Sequence, residues 1–272
     1  MSTAQHPGSS DARSGSAAVF ARVLVGVDGT EPGFEACRQA AVLAEPDAAI
    51  EAVSVVHLSD AIQVGLAAQR AADELQQDAV AALARAGRIL GARAGTRPLN
   101  GFVTTAILHE IGELDATVVA IGSHGHRRAT EILIGGVAGE LLHRAPCSVL
   151  VARPAHEPGG FPRSVVVGID GSRESDAAFR AAERIAARFD VPLETVVSSH
   201  GKGVDVAKVH LRAPLARVID AHPVDALVEA GRDAGLLVVG NRGLHGVKAL
   251  GSVSERVAHQ ARCSVLVVRG EP

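Results

Sequence analysis

Aromatic residues are nearly absent from this chain of 272 residues, which contains six Phe and neither Trp nor Tyr. Proteins that bind single-stranded nucleic acid stack the bases on aromatic rings, and few such rings are available here. A formal net charge of −3 also provides no overall basic field for phosphate backbones. Composition therefore argues against a nucleic-acid partner. Because hydrophobic residues still make up 47 % of the chain, we expect a core built from Ala, Val, Leu and Ile.

Cysteine is also scarce, with Cys37, Cys147 and Cys263 as the complete set and no CxxC spacing among them. This pattern disfavours a zinc or iron–sulfur site and a disulfide framework, and it predicts buried thiols in a reducing compartment. No apolar run approaches the ~18–20 residues that a membrane span requires. The first residues lack the basic-then-apolar order of a signal peptide, so we predict a disordered tail over Met1–Ala18 and a cytoplasmic protein without a membrane partner.

Two segments of the chain recur later in it. Arg22–Ala44 matches Ser164–Ala186 at an offset of 142, and Gly135–Arg153 matches Gly251–Arg269 at an offset of 116 with ten of nineteen residues identical. The segment Pro154–Pro162, with three prolines and two glycines, belongs to neither repeat. Internal similarity of this kind indicates duplicated units. We therefore predict a first domain over residues 19–153, a linker over 154–162 and a shortened second domain over 163–270.

Each copy alternates strand and helix patterns. In the first copy we predict strands at Val23–Val27, Ala49–Val56, Leu99–Val103, Thr117–Ile121 and Ser148–Ala152, and helices within Pro32–Ala44, Arg70–Leu90, Thr105–Gly112 and Val137–Arg144. Continuous apolar runs are typical of strands buried on both faces. The fold class is therefore α/β, with two tandem doubly wound domains, each a five-stranded parallel sheet of Rossmann-like type with helices on both faces. The offset between the copies falls by about 24 residues before Gly240, which leaves only Gly201–Pro214 for the second crossover of the second copy.

Asp-Gly turns and glycine-rich loops follow strands one and four of each copy. Open α/β sheets bind ligands at the carboxyl ends of their strands, so these residues are candidates for a binding site. Asp28 and Asp170 end the first strands, whereas Gly122 and Gly240 end the fourth strands. Glycines allow backbone amides to approach an anion, and the N-terminus of the following helix favours negative charge. A hydroxyl at that helix start, as Ser252 offers, can cap the helix or bind a phosphate oxygen.

These motifs resemble those of the universal stress protein family, whose ATP-binding members carry an Asp after strand one and G-x2-G-x9-G-[ST] after strand four. The resemblance extends from about Arg22 to Arg269 and includes the repeated CSVLV strands near the end of each copy. The sequence departs from the family pattern at two points. Gly136 replaces the hydroxyl residue in the first copy, and only seven residues separate Gly243 from Gly251 in the second.

The resemblance implies a regulatory stress-response protein that binds ATP, with or without Mg²⁺, in one or both copies. Asp28 and Asp170 would contact the nucleoside, and backbone near Val55 or Ser198 would contact adenine. The phosphates would lie on one set of residues in each copy, namely Gly122, Gly125, Gly135 and Gly136 in the first and Gly240, Gly243, Gly251 and Ser252 in the second. Because aromatic residues are scarce, we expect backbone and aliphatic side chains to hold the adenine.

The family also pairs its domains through their last strands. Here these strands would be Ser148–Ala152 and Ser264–Val268, which are apolar and would otherwise be exposed edges. The resemblance therefore implies an intramolecular pseudo-dimer of the two domains, with a homodimer as a further possibility.

Two other functions stay open, a nucleotide-free interaction or dimerisation module with degenerate glycine loops and a slow ATP hydrolase. We find no G-x-G-x-x-G fingerprint, no G-x-S-x-G elbow and no nucleophile with a base, so no catalytic residue is named and at most weak ATPase activity is expected. His124 and His126 are interpreted as solvated loop residues. His143 and His259 occupy equivalent helix positions, which favours capping or packing at a domain face over metal binding.

Overall fold

A computed structural model describes residues 19–57, 65–123, 134–154, 160–201, 203–241 and 252–270. The first half of the chain contains β1 (Phe20–Gly26), α1 (Glu31–Leu43), β2 (Ala44–Val56), α2 (Gly65–Leu90), β3 (Ala94–Asn100), α3 (Val103–Leu114), β4 (Val118–Gly122), α4 (Gly136–Arg144) and β5 (Ser148–Ala152). The second half contains β6 (Val165–Gly168), α5 (Arg173–Phe189), β7 (Leu193–Ser198), α6 (Val206–Arg212), β8 (Arg217–Ile219), α7 (Pro223–Ala230), β9 (Leu236–Gly240), α8 (Val253–Gln260) and β10 (Ser264–Val268). The predicted alternation of strands and helices is confirmed.

The strands of both halves form one sheet in the order β3-β2-β1-β4-β5-β10-β9-β6-β7-β8. Pairing is parallel within each half, as the α/β doubly wound prediction requires. The two halves meet where β5 and β10 run antiparallel, with Val151 opposite Val265 and Leu150 opposite Leu266. The predicted pairing of the two last strands is therefore present. It covers the inner edge of each five-stranded unit, so an apolar edge strand is not left exposed.

Small side chains allow the helices to lie close to the sheet without aromatic packing. Ala36 and Ala40 of α1 and Ala86 of α2 are at most 2 % exposed. One apolar core lies against α1, α2, α5 and α6, and a second lies against α3, α4, α7 and α8. The central strands are buried on both faces because helices cover both of them, which explains their continuous apolar sequences.

Two arginines, one in each half, donate hydrogen bonds to backbone carbonyls of the opposite half. Arg153 follows β5, is 7 % exposed, and donates hydrogen bonds to the carbonyl oxygens of Cys263 (3.3 Å) and Ala258 (2.7 Å) near the end of α8. Arg269 follows β10 and donates to the carbonyl oxygens of Leu142 (2.9 Å) and His143 (3.3 Å) in α4. Each arginine thus satisfies carbonyls at a helix C-terminus of the other half, where cations are favoured. We call this contact between β5, β10, α4 and α8 the seam.

The third strand of the first half is the main correction to the sequence-based elements. Leu99–Val103 was the predicted range, whereas β3 spans Ala94–Asn100 and Val103 already begins α3. β3 is an edge strand with mostly exposed residues, so it lacks the apolar run that identifies a central strand. The shortened crossover of the second half is confirmed, because α6 has 7 residues where α2 has 26.

Candidate functional site

Both Asp-Gly turns place a carboxylate at the carboxyl end of the first strand of each half. Oδ1 of Asp28 accepts hydrogen bonds from the backbone N–H (3.1 Å) and the hydroxyl (2.6 Å) of Thr30. Oδ1 of Asp170 accepts the same pair from Ser172, at 3.0 and 2.5 Å. Gly29 has φ +82°, a conformation that side chains disfavour, which explains the glycine after the aspartate. In both halves, therefore, the turn connects the first strand to the start of the next helix with the same geometry.

The glycines that end the fourth strands have a packing role. A Cβ at Gly122 would lie 2.7 Å from the carbonyl carbon of Pro32 and 2.8 Å from the nitrogen of Gly33. A Cβ at Gly240 would overlap the carbonyl oxygen of Glu174. In each half the start of the first helix therefore rests directly on the end of the fourth strand. This contact brings the aspartate turn next to the fourth strand at the point where the strand order reverses.

The helix that follows each glycine loop starts differently in the two halves. Gly135 is the N-cap of α4, makes no side-chain cap bond, and donates its N–H to the carbonyl of Ser123 at 2.8 Å. Gly136 is exposed, and apart from its chain neighbours and its own helix no described atom would lie within 4 Å of a Cβ there. In the second half, Ser252 caps α8 by accepting the N–H of Glu255 at 3.3 Å. The first-turn amides of α4 therefore lack the hydroxyl cap that α8 has, which leaves α4 better suited to receive an anion.

Val55 and Ser198 lie near the carboxyl ends of the second strands. Val55 is half-buried in β2, opposite Leu99 of β3. Ser198 ends β7, and its hydroxyl donates to the carbonyl of Ala221 (2.6 Å) and accepts the N–H of His200 (3.2 Å). The Ser198 side chain thus organises its own loop, and its contribution to a ligand would come from backbone, as the prediction has it.

Several predicted residues lie outside the described residues. These are the second glycine of each motif, the glycine before Ser252 and two loop histidines, namely Gly125, Gly243, Gly251, His124 and His126.

The sequence interpretation also overlooked rings at this edge of the sheet. His57 and Phe102 have ring centroids 4.8 Å apart in the first half, and His200 and His222 are 5.4 Å apart in the second. Asp220 accepts a hydrogen bond from Ser199 and contacts His200, and these two contacts lower the pKa of its carboxyl group. Isolated ring residues at strand ends carry little signal in one sequence. Only the equivalence of the two halves would have drawn attention to them.

The remaining chemical candidates have structural roles. Burial raises the pKa of Cys37 to about 12 and those of Cys147 and Cys263 to about 11, so none is suited to act as a nucleophile. His143 pairs across the seam, with Nε2 2.8 Å from Oε1 of Glu255. Among the residues described, no group of three or more His, Cys, Asp or Glu side chains could hold a metal ion, and no helix is long and apolar enough to cross a membrane.

Comparison with known proteins places this chain within a family. The sequence model described as universal stress protein family matches residues 20–153 and 212–269, and the chain belongs to that family. Two universal stress proteins of Mycobacterium tuberculosis (strain ATCC 25618 / H37Rv), Rv2005c and Rv2623, are 32 % identical to it over 190 and 184 residues. Each match covers 57 % of this chain and 62 % of the relative, so the chain spans less than two thirds of these relatives.

The fold agrees with that membership. The crystal structure of a universal stress protein from Archaeoglobus fulgidus DSM 4304 is similar, with a TM-score of 0.71 and 19 % sequence identity. The match covers 93 % of this chain and 97 % of the Archaeoglobus chain. The likeness supports a tandem arrangement of α/β units. At this identity the comparison concerns the fold alone.

Proposed function

We propose that this universal stress protein binds ATP in a regulatory role, with the first half as the stronger site. The observation that carries the proposal is the meeting of three groups at the strand-order reversal of the first half. These are the Asp28 carboxylate, the end of β4 at Gly122, and the start of α4 at Gly135, which lacks a side-chain cap. A carboxylate can accept from ribose hydroxyls, and amides at a helix N-terminus can receive phosphate.

The residues present fit an adenine nucleotide in distinct roles. Asp28 would bind the sugar, backbone near Val55 would contact the base, and the amides after Gly135 would take the phosphates. Gly136 adds no side chain at the helix start, and apart from its chain neighbours and its own helix no described atom would lie within 4 Å of a Cβ there. The second half offers Asp170, Ser198, Gly240 and Ser252 in the same order, although the Ser252 hydroxyl already caps α8. Mg²⁺ would accompany the phosphates as part of the ligand.

Binding of ATP would stabilise one arrangement of the chain and so change a surface available to partners. We propose that the two halves act as a pseudo-dimer of domains over residues 19–153 and 163–270, joined by the linker 154–162. Such a protein would work in the cytoplasm as a regulator without an enzymatic step of its own.

Isothermal titration calorimetry of the full chain with ATP tests this proposal. Asp28→Asn is the sharpest variant, because the Asn carbonyl can still accept from Thr30 while its amide replaces the oxygen that would bind the sugar. We expect this variant to bind ATP about tenfold more weakly. Asp78→Asn, on the exposed face of α2, is the matched control.

Mass spectrometry of nucleotide released from the purified protein gives a second readout. A wild-type protein that carries no nucleotide and gives neither heat nor a thermal shift with millimolar ATP would refute the proposal. Multiple-turnover release of ADP that is lost in Asp28→Asn would instead establish an ATP hydrolase.

A nucleotide-free interaction module is the second candidate. The observation in its favour is that Gly122 and Gly240 are already required by helix packing, so their presence does not demand a ligand. This candidate predicts that Asp28→Asn and wild type are indistinguishable in every nucleotide assay.

A further inference from the structure

Each half carries a pair of rings at the carboxyl edge of the sheet. His57 and Phe102 are inclined at 46° with centroids 4.8 Å apart, and His200 and His222 meet edge to face at 84° and 5.4 Å. In each half, the first ring of the pair comes just after the second strand of that half. His57 is two residues beyond Val55, and His200 is two residues beyond Ser198. The ring pairs therefore stand directly beside the positions proposed above to contact the base.

The second ring of each pair occupies a helix N-cap. Phe102 is the N-cap of α3 and His222 the N-cap of α7, and neither side chain makes a cap hydrogen bond. Helices strongly prefer Ser, Thr, Asp or Asn at this position because those side chains satisfy first-turn amides. Both halves thus place a ring where helix stability favours a small polar residue. Helix formation does not account for that choice.

Phe102 is also unusually exposed for a phenylalanine of this chain. It is 70 % exposed, whereas Phe20 and Phe34 are 5 % and 2 % exposed. Gly101 sets its position, since a φ of +122° turns the chain from β3 into α3 while the Gly101 N–H donates to the carbonyl of Val56 at 3.1 Å. A chain with six Phe leaves this one in solvent at the edge where doubly wound sheets bind their ligands.

We propose that the two ring pairs are stacking platforms for a purine base, one in each half. This inference rests on the proposed binding of ATP and specifies how its base is held, contrary to the expectation of aliphatic walls alone. Aromatic side chains stack on any base face without demanding a particular hydrogen-bond pattern. His57 and Phe102 give an apolar platform, whereas Asp220 holds His200 through a 2.7 Å contact with Nε2 and makes the second platform polar.

Phe102→Ser separates the two roles of this position. The serine hydroxyl supplies the missing cap, so the variant is expected to melt at a higher temperature than wild type. Loss of the ring is expected to weaken ATP binding by the first half roughly tenfold. Phe102→Trp keeps a stacking surface and should bind ATP at least as well as wild type. His222→Ser makes the same test in the second half, and the double variant removes both platforms.

Calorimetry of the full chain with ATP and with inorganic tripolyphosphate distinguishes base binding from phosphate binding. We expect Phe102→Ser to lose affinity for ATP and to keep wild-type affinity for tripolyphosphate. Leu215→Ala, which truncates a side chain that is 96 % exposed and outside the site, serves as the control.

Each alternative outcome is decisive. Unchanged ATP affinity in the double variant would refute the proposal that the ring pairs stack on the base, while the proposal that the protein binds ATP would stand. Equal weakening of ATP and tripolyphosphate would also overturn them, because the defect would then lie in the phosphate site. A wild-type protein that binds neither probe would overturn both ATP binding and the platforms.

Discussion

Arg153 provides a direct test of how the two halves are held together. Its side chain is almost fully buried at the seam, where it donates to the carbonyls of Ala258 and Cys263 from the other half. Burial lowers the pKa of its guanidinium, which reflects the cost of placing a charge there. A hydrogen bond to a charged group contributes about 1.5–3 kcal/mol, and removing the donor also leaves buried carbonyls unsatisfied. With one of the two bonds long, we expect Arg153→Ala to lower the free energy of unfolding by about 3–4 kcal/mol.

Urea unfolding followed by circular dichroism measures this loss through the transition midpoint. Arg153→Lys should fall between wild type and Arg153→Ala, because lysine retains the charge but not the planar fork that reaches two acceptors. Arg217→Ala is the control, since Arg217 is half-exposed on β8 and pairs with Glu194 at the surface, which predicts a loss of less than about 1 kcal/mol. If Arg153→Ala costs no more than the control, the arginine does not stabilise the seam and the reasoning fails.

Three further predictions follow from glycine packing and thiol burial. Gly122→Ala should lower the free energy of unfolding by about 1–3 kcal/mol, because its Cβ would collide with the backbone of α1. Gly136→Ala, which has open space at the start of α4, should be neutral or stabilising by about 0.5–1 kcal/mol. Equal melting temperatures for the two variants would contradict the packing role of Gly122. Iodoacetamide at pH 8 should leave the buried thiols of Cys37, Cys147 and Cys263 unmodified until urea is added, and mass spectrometry that finds rapid native labelling would argue against their burial. Because burial raises the pKa of Cys37 to about 12 from 9.0, the unfolded chain ionises first, so this thiol alone should account for a loss of about 1–2 kcal/mol between pH 9 and 10.5. Cys37→Ala should show a shallower decline of stability over the same range.

The sequence predicts the central parts of the fold better than its margins. β5 was predicted at its observed bounds because its apolar run is continuous and its neighbours cover both faces. β3 was misplaced because its residues are mostly exposed at the sheet edge, where hydrogen bonding to β2 rather than apolar burial defines the strand. The candidate site shows the same division. Asp28 and Asp170 were predicted as turn residues at strand ends, whereas the ring of Phe102 beside His57 depends on a contact between residues 45 positions apart in the chain.

The duplication and the alternation of strands and helices were determined by the sequence alone, because both are periodic patterns that can be recognised without any tertiary contact. The scarcity of aromatic residues likewise predicted a core of small and branched side chains. Tertiary structure decided which role each residue has. Gly122 is required by the backbone of α1, Ser252 caps α8 whereas Gly135 leaves α4 without a side-chain cap, and Arg153 satisfies carbonyls of the opposite half. Those roles depend on distances between remote segments, which hydrophobic periodicity does not encode.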